Sequence, residues 1–280
     1  MSQAELTTDL SAAWSLADRH HVGIIAAGVA FYGFLAFVPM LAAIVLAYGL
    51  VADPAMVESH IDSLGAVLPN AAADLIAEQL RAVSEADQGR TGFGLVLALL
   101  GALWGATKGA KAVMTALNII YDVNETRGFV SKQLAALGIT AVLVAVLIGA
   151  ALTMTVSGYL ETLLPSLGPV ITDGLKLLTW LVLAAIVVGA IVWIYRVAPH
   201  RETGRSEQLR PGAVTAAALW LVATVAFGFY AARFGSYNAT YGSLGAVVVF
   251  VLWLYLSAYA VMFGASLNRV RNRREPRGET

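Results

Sequence analysis

The stretch "VGIIAAGVAFYGFLAFVPMLAAIVLAYGLVA", Val22 to Ala52, contains no Asp, Glu, Lys, Arg or His. At 1.5 Å of rise per residue such a run extends about 45 Å as a helix, against a hydrocarbon thickness of about 30 Å, so it can cross a bilayer with length to spare. The rest of the chain agrees with that reading. Over 280 residues it is 59% hydrophobic and 13% charged, more apolar than the core of a soluble domain of this size needs. The mean hydropathy is +0.74.

Further apolar segments place spans at about 22–51, 92–118, 134–159, 175–196, 212–233 and 243–267. The uncharged part of the second is short, but "TKGAKAVMTALNIIY" continues it with no breaker, which puts Lys108 near the interface with a stem long enough to snorkel. Basic residues alternate between connections. Lys108, Lys111, Arg127 and Lys132 follow span two, Arg196, Arg201, Arg205 and Arg210 follow span four, and Arg269, Arg271, Arg273, Arg274 and Arg277 lie after span six. The connection after span one instead carries Asp53, Glu58, Asp62, Asp74, Glu78, Glu85 and Asp87. By the positive-inside rule the expectation is an all-α membrane protein of six transmembrane helices with both termini cytoplasmic.

Outside the spans, residues 1–21 read as a cytoplasmic amphipathic segment, with Leu6, Leu10, Ala13, Trp14 and Ala17 on one face. Some twenty mostly polar residues before an overlong span do not match a cleaved signal peptide, so the N-terminus is expected to be retained. The extracytoplasmic loop 53–91 is long for a plain connection. Its apolar residues recur at helical spacing on either side of "LPNAA", which predicts two short amphipathic helices. Residues 269–280 read as a basic cytoplasmic tail suited to anionic headgroups.

Within span one, Pro39 removes an amide hydrogen and leaves the Leu35 carbonyl without its usual partner. Tyr32 is seven residues earlier, on the same face. Two readings stay open: a kink that improves helix packing, or a bent helix lining a path. Gly101, Gly105 and Gly109 form overlapping small-xxx-small motifs that admit a close neighbour, within the bundle or in a homo-oligomer.

The stretches "LWGATKGAKAVMTALNIIYDVNETR" (Leu103 to Arg127), "YRVAP...RPGAVTAAALW" (Tyr195 to Trp220) and "YNATYGSLGAVVVFVLWLYLSAYAVMFGASLN" (Tyr237 to Asn268) resemble the YihY/BrkB family of bacterial inner-membrane proteins. "AFYGFLAFVP" (Ala30 to Pro39) is similar to that family's first-span motif. The resemblance runs from about Gly28 to Asn268 and implies a six-helix polytopic fold in the bacterial cytoplasmic (inner) membrane. Family members have carried the labels ribonuclease BN, virulence factor and envelope-integrity protein, with lipid or envelope-precursor transport suggested for some. Two departures stand out. The family often has a serine where this chain has Ala36, and a glutamate where it has Ser266.

The residues bear on those labels unequally. The absence of cysteine removes thiol chemistry and thiolate metal sites. His20, His21, His60 and His200 are scattered, with no cluster of the kind metal-dependent RNA hydrolysis uses, so neither nuclease activity nor a nucleic-acid partner is expected. No nucleotide-binding glycine motif occurs, and neither a metal nor another cofactor is expected. What remains is polar side chains at span ends. Arg233, Tyr237, Asn238 and Tyr241 form an outer group suited either to a tight turn or to a phosphate headgroup. Lys108, Lys111 and Asn118 form an inner group suited either to topology or to a second headgroup site. With Tyr32 and Pro39 between them, these residues make a lipid path the favoured expectation: a transporter or scramblase of lipid or lipid-linked envelope precursors, with membrane lipids as partners. The alternative is a non-transporting envelope-integrity scaffold that engages envelope proteins.

Overall fold

The computed structural model describes residues 3–51, 88–163, 169–200, 208–234 and 238–274. Among them the regular structure is entirely helical: α1 (Gln3–Arg19), α2 (Val22–Val51), α3 (Gln88–Tyr121), α4 (Phe129–Leu163), α5 (Pro169–Val197), α6 (Arg210–Phe234) and α7 (Asn238–Arg274). Five of these, α3 to α7, are long and apolar enough to cross a membrane, and the count reaches six if α1 and α2 are taken as one bent span. α2 matches the expected span 22–51, whereas α3 to α7 overrun theirs at both ends, because polar and charged residues at the water boundary can extend a helix. The difference is largest at α7, which continues helically to Arg274 through the first half of what reads in sequence as a tail. The two amphipathic helices expected in the loop 53–91 lie outside the described residues, and the loop's last four positions, 88–91, are instead the first turn of α3.

The expected N-terminal helix is present as α1, and it meets α2 at a bend of 69°. The hinge is His21, whose φ of 51° is left-handed, a conformation that ends helices and is uncommon for a residue with a Cβ. The His21 amide closes the last turn of α1 on the Asp18 carbonyl at 2.9 Å. Its own carbonyl accepts from Ile24 (2.9 Å) and Ile25 (3.2 Å) and so starts α2. One residue therefore stops one helix and opens the next.

The chain divides into two compact units, residues 1–31 with 107–280, and residues 32–106. In the smaller unit α2 runs as continuous helix through Pro39. Opposite it, a Cβ on Gly101 would lie 3.4 Å from the Pro39 Cβ, and one on Gly105 would lie 2.8 Å from the Ala36 Cα. The glycine spacing thus serves an internal contact, and the residue in the family's serine position, Ala36, is the one on which Gly105 closes.

In the larger unit the most extensive packing is of α6 on α7, followed by α4 on α5, α1 on α7 and α5 on α6. The core is rich in small residues, among them Ala110, Ala116, Ala136, Ala198, Ala213, Ala216 and Ala265, with Met114, Leu117, Ile139 and Met262 filling between them. Small residues let backbones approach, which is how membrane helices gain dispersion contact where lipid tails already satisfy apolar surface. The closest approach is Gly212 of α6 on Gly264 of α7, each lying against the other's carbonyl oxygen. Farther along the same pair, Trp220 donates to Ser257 (3.1 Å) and Trp253 to Thr224 (3.2 Å). Both indole N–H groups are therefore satisfied inside the span.

Candidate functional site

The C-termini of α3, α5 and α7 meet the N-termini of α4 and α6 at one end of the larger unit, here called the basic end. A helix terminus leaves several amides or carbonyls without intrahelical partners, and near a membrane these must be satisfied by other groups. Three such termini are capped by side chains from other elements.

Arg127, in the connection between α3 and α4, caps α5. Its guanidinium donates to the carbonyls of Val197 (2.9 Å), Ala198 (3.3 Å) and Pro199 (3.0 Å), while its Nε donates to His200 Nδ1 (3.1 Å). Pro199 cannot continue the α5 ladder, so these carbonyls are the ones a helix end exposes. Glu125 holds the arginine's own segment, accepting from the Arg127 amide at 3.2 Å and lying 3.8 Å from its Nε. Asn118 ties the whole to α3, donating to Glu125 (3.0 Å) and accepting from the His200 amide (2.9 Å).

Asn268 of α7, fully buried, caps the start of α6. Its Oδ1 accepts from the Gly212 amide at 2.7 Å, and its Nδ2 donates to the Leu209 carbonyl at 2.9 Å. An asparagine normally does this for its own helix; here the cap crosses from one helix to another. The neighbouring Tyr195 hydroxyl of α5 donates to the Val261 carbonyl of α7.

Arg269 of α7 caps α3, donating to the Ile120 carbonyl (2.6 Å) and to Asp122 Oδ2 (2.8 Å). Asp122 sits at φ 58°. The Val123 amide reaches back to the Asn118 carbonyl (3.0 Å) and the Asp122 amide to that of Ile119 (3.1 Å), the Schellman pattern that glycine usually makes. The hydrogen bond from Arg269, reinforced by that arginine's charge, holds the Asp122 carboxyl below the usual carboxylate range. Beyond it, Arg271 pairs with buried Asp9 of α1 at 3.6 Å. Arginines expected to face headgroups thus turn inward to hold helices together.

The side chains singled out in the sequence fall as follows. Asn118 belongs to the Arg127 network. Lys111 donates to Gln133 of α4 at 2.6 Å and lies over the Phe129 ring, 5.9 Å from its centroid. Lys108 is exposed on α3. Half-buried Tyr32 and Pro39 belong to the smaller unit. Arg233, Asn238 and Tyr241 lie on α6 and α7 with side chains outside the described residues, and Tyr237 is outside them altogether. Among the described residues no three of His, Asp and Glu gather where they would hold a metal.

Sequence reasoning missed the caps made by Asn268 and Arg269, and it missed a half-open cavity of about 240 Å³ at the α1–α2 bend, lined in part by Trp14, Asp18, His21 and Tyr259. One signal was available for the cavity: Tyr255, Tyr259 and Phe263 recur every four residues on α7, as Trp14 and Asp18 do on α1. Trp14 does meet that stripe, with ring centroids 6.4 Å from Tyr259 and 6.3 Å from Phe263.

The sequence model of the family described as virulence factor BrkB matches residues 13–280. The ribonuclease-like protein YfkH of Bacillus subtilis is 29% identical over 189 residues, 66% of this chain and 68% of its own length. A UPF0761 membrane protein of Rhodospirillum centenum is 30% identical over 250 residues, 87% of this chain, which in turn spans 52% of that relative. A UPF0761 membrane protein of Tolumonas auensis is 36% identical over 99 residues, 32% of each chain. No solved structure matches the chain.

Proposed function

This chain belongs to the virulence factor BrkB family, and from that premise we propose that it moves lipid or lipid-linked envelope precursors across the bacterial cytoplasmic membrane, its basic end inward. One observation carries the reading: the distribution of burial along the helices of the larger unit. At the basic end α4 to α7 pack on one another, and the ends of α3, α5 and α6 are capped. Away from it the same helices present Leu143, Ile148, Leu178, Trp180, Val222, Val225 and Val248 to the surroundings. A bundle closed at one end, with apolar helix faces bare along the rest, suits an amphiphile that enters sideways from the bilayer. Arg19, Arg196 and Arg210 are exposed at helix ends, where they would meet anionic headgroups.

The ribonuclease-like name of the Bacillus relative points elsewhere, but the groups at the basic end do not have the form of a hydrolytic centre. Arg127 and Asn118 are occupied by backbone carbonyls and amides, and His200 Nδ1 accepts from Arg127. General acid–base work needs such groups directed at a substrate.

Reconstitution in liposomes tests the proposal, with transbilayer movement of headgroup-labelled anionic lipid as the readout and Lys108→Ala and Arg233→Ala alongside wild type. Movement above empty liposomes, reduced in these variants, supports the path. No movement with folded protein, across several headgroups, would remove transport and leave the scaffold reading.

A further inference from the structure

The cavity at the α1–α2 bend takes no part in the capping network, and its chemistry is specific. Trp14 of α1 and Tyr259 of α7 form two aromatic walls tilted 59° to each other. Asp18, one helical turn beyond Trp14, and His21 line the same space and supply a carboxylic acid and an imidazole at its edge. Gly23 closes the floor. A Cβ there would lie 3.3 Å from the Tyr255 hydroxyl, so a larger residue would crowd the second aromatic of the α7 stripe. Tyr255 in turn backs Tyr259, ring centroids 6.2 Å apart.

Two tilted π-faces and a carboxylate around a small space are the components with which proteins bind organic ammonium ions. At about 240 Å³ the cavity is below the roughly 300–1,000 Å³ of drug-sized sites and of the scale of a headgroup. Its rim is open and carries two apolar side chains beside Asp18 and His21. Trp14 is 61% exposed and Ile24 75%, at the point where the interfacial helix gives way to the first long apolar helix. A soluble amine has no use for such a rim, whereas an acyl chain does.

We infer that this cavity binds the ammonium headgroup of a zwitterionic phospholipid of the phosphoethanolamine class. Trp14, Tyr259 and Asp18 hold the ammonium, His21 donates to the phosphate, and the lipid tails run past Trp14 and Ile24. This deepens the proposed function and rests on its lipid reading, adding a headgroup class distinct from the anionic lipid expected at the basic end.

The test is calorimetric titration of the purified full chain in non-ionic detergent with dihexanoyl-phosphatidylethanolamine, dihexanoyl-phosphatidylglycerol and free ethanolamine, repeated with Asp18→Asn and Trp14→Ala. Both substituted side chains are exposed, so the variants are expected to fold, and circular dichroism checks this. The ethanolamine lipid should bind about tenfold tighter than the glycerol lipid, and each variant should erase most of that preference. Equal binding of the two lipids, or an undiminished preference in folded Asp18→Asn, overturns the site. Free ethanolamine binding as tightly as the lipid overturns the lipid assignment. Binding that follows the expected pattern in a protein that moves no lipid leaves the site standing and removes transport. Movement without headgroup preference does the reverse.

Discussion

The two halves of α4 differ more from each other than α4 differs from its neighbours. Near the basic end Ala136, Ile139 and Thr140 are buried although Phe129, Val130 and Leu134 are exposed; farther along the helix Leu143, Val144, Ile148, Leu152 and Val156 are exposed and, among the described residues, none is buried. The contrast repeats along α5, from exposed Leu177, Leu178 and Leu181 to buried Ile191, Ile194 and Tyr195. It repeats along α6, where Ala213 and Ala216 are buried and Val222 and Val225 exposed. Aliphatic residues stand on both sides of the contrast, buried in one half and exposed in the other. What distinguishes them is the polar fastening. Arg127, Asn268 and Arg269 each close a helix end at the buried half, and fixed ends hold small residues in contact.

Substitutions can break that contrast, and the largest effect is expected where no side chain fits at all. Gly264→Ala places a methyl against the Gly212 carbonyl, the Tyr195 hydroxyl and the Ala216 side chain. It should cost more than about 3 kcal/mol or prevent folding, read as loss of monodisperse protein in detergent. Gly105→Ala, which meets Ala36 backbone, should be clearly destabilising, and Gly101→Ala, with ordinary contact distance to Pro39, nearly neutral.

Next comes the cap of α5. Arg127→Ala strands three carbonyls, removes the cation beside Glu125 and should cost about 3 kcal/mol in thermal or denaturant unfolding. Arg127→Lys should recover little, because an ammonium cannot reproduce the planar fork.

A smaller effect should follow pH. Because the Asp122 carboxyl titrates below its unfolded value near 3.9, the stability it contributes is complete above that value. It is lost as pH falls through the lower, folded value. Melting curves between pH 6 and pH 3 should show an acid-side loss in wild type that Asp122→Asn lacks; identical profiles would mean that the Arg269 contact contributes nothing.

The smallest effect sharpens the comparison from the other side. Val222→Ala and Leu178→Ala should each change stability by under about 0.5 kcal/mol. A cost near that of a core truncation, about 2–5 kcal/mol, would mean that a second protein surface covers the bare half.

Much of this fold could be read from the sequence, because a membrane helix announces itself locally. The Val22–Ala52 run, the face of α1 and the Gly101–Gly105 spacing all depend on residues within one helix. The fastening could not be read in the same way. Asn268 meets Gly212, and Arg127 meets Val197, across sequence distances that carry no period. The turns at His21 and Asp122 were equally hidden, since a left-handed residue is usually betrayed by glycine and here is not. Among the candidate residues, Lys111 and Asn118 were found for their polarity and position. Polarity alone did not reveal that Asn118 is engaged with backbone, or that Lys111 bridges α3 to α4.

The pairing of Asp9 with Arg271 has a consequence for biosynthesis. Asp9 is 6% exposed, and Arg271, 3.6 Å from its carboxylate, is in α7. At about 5–20 residues per second the ribosome needs on the order of 13–50 s to travel the roughly 260 residues between them. For that interval α1 is without its contact on α7, so this corner of the fold is completed only once α7 has been made.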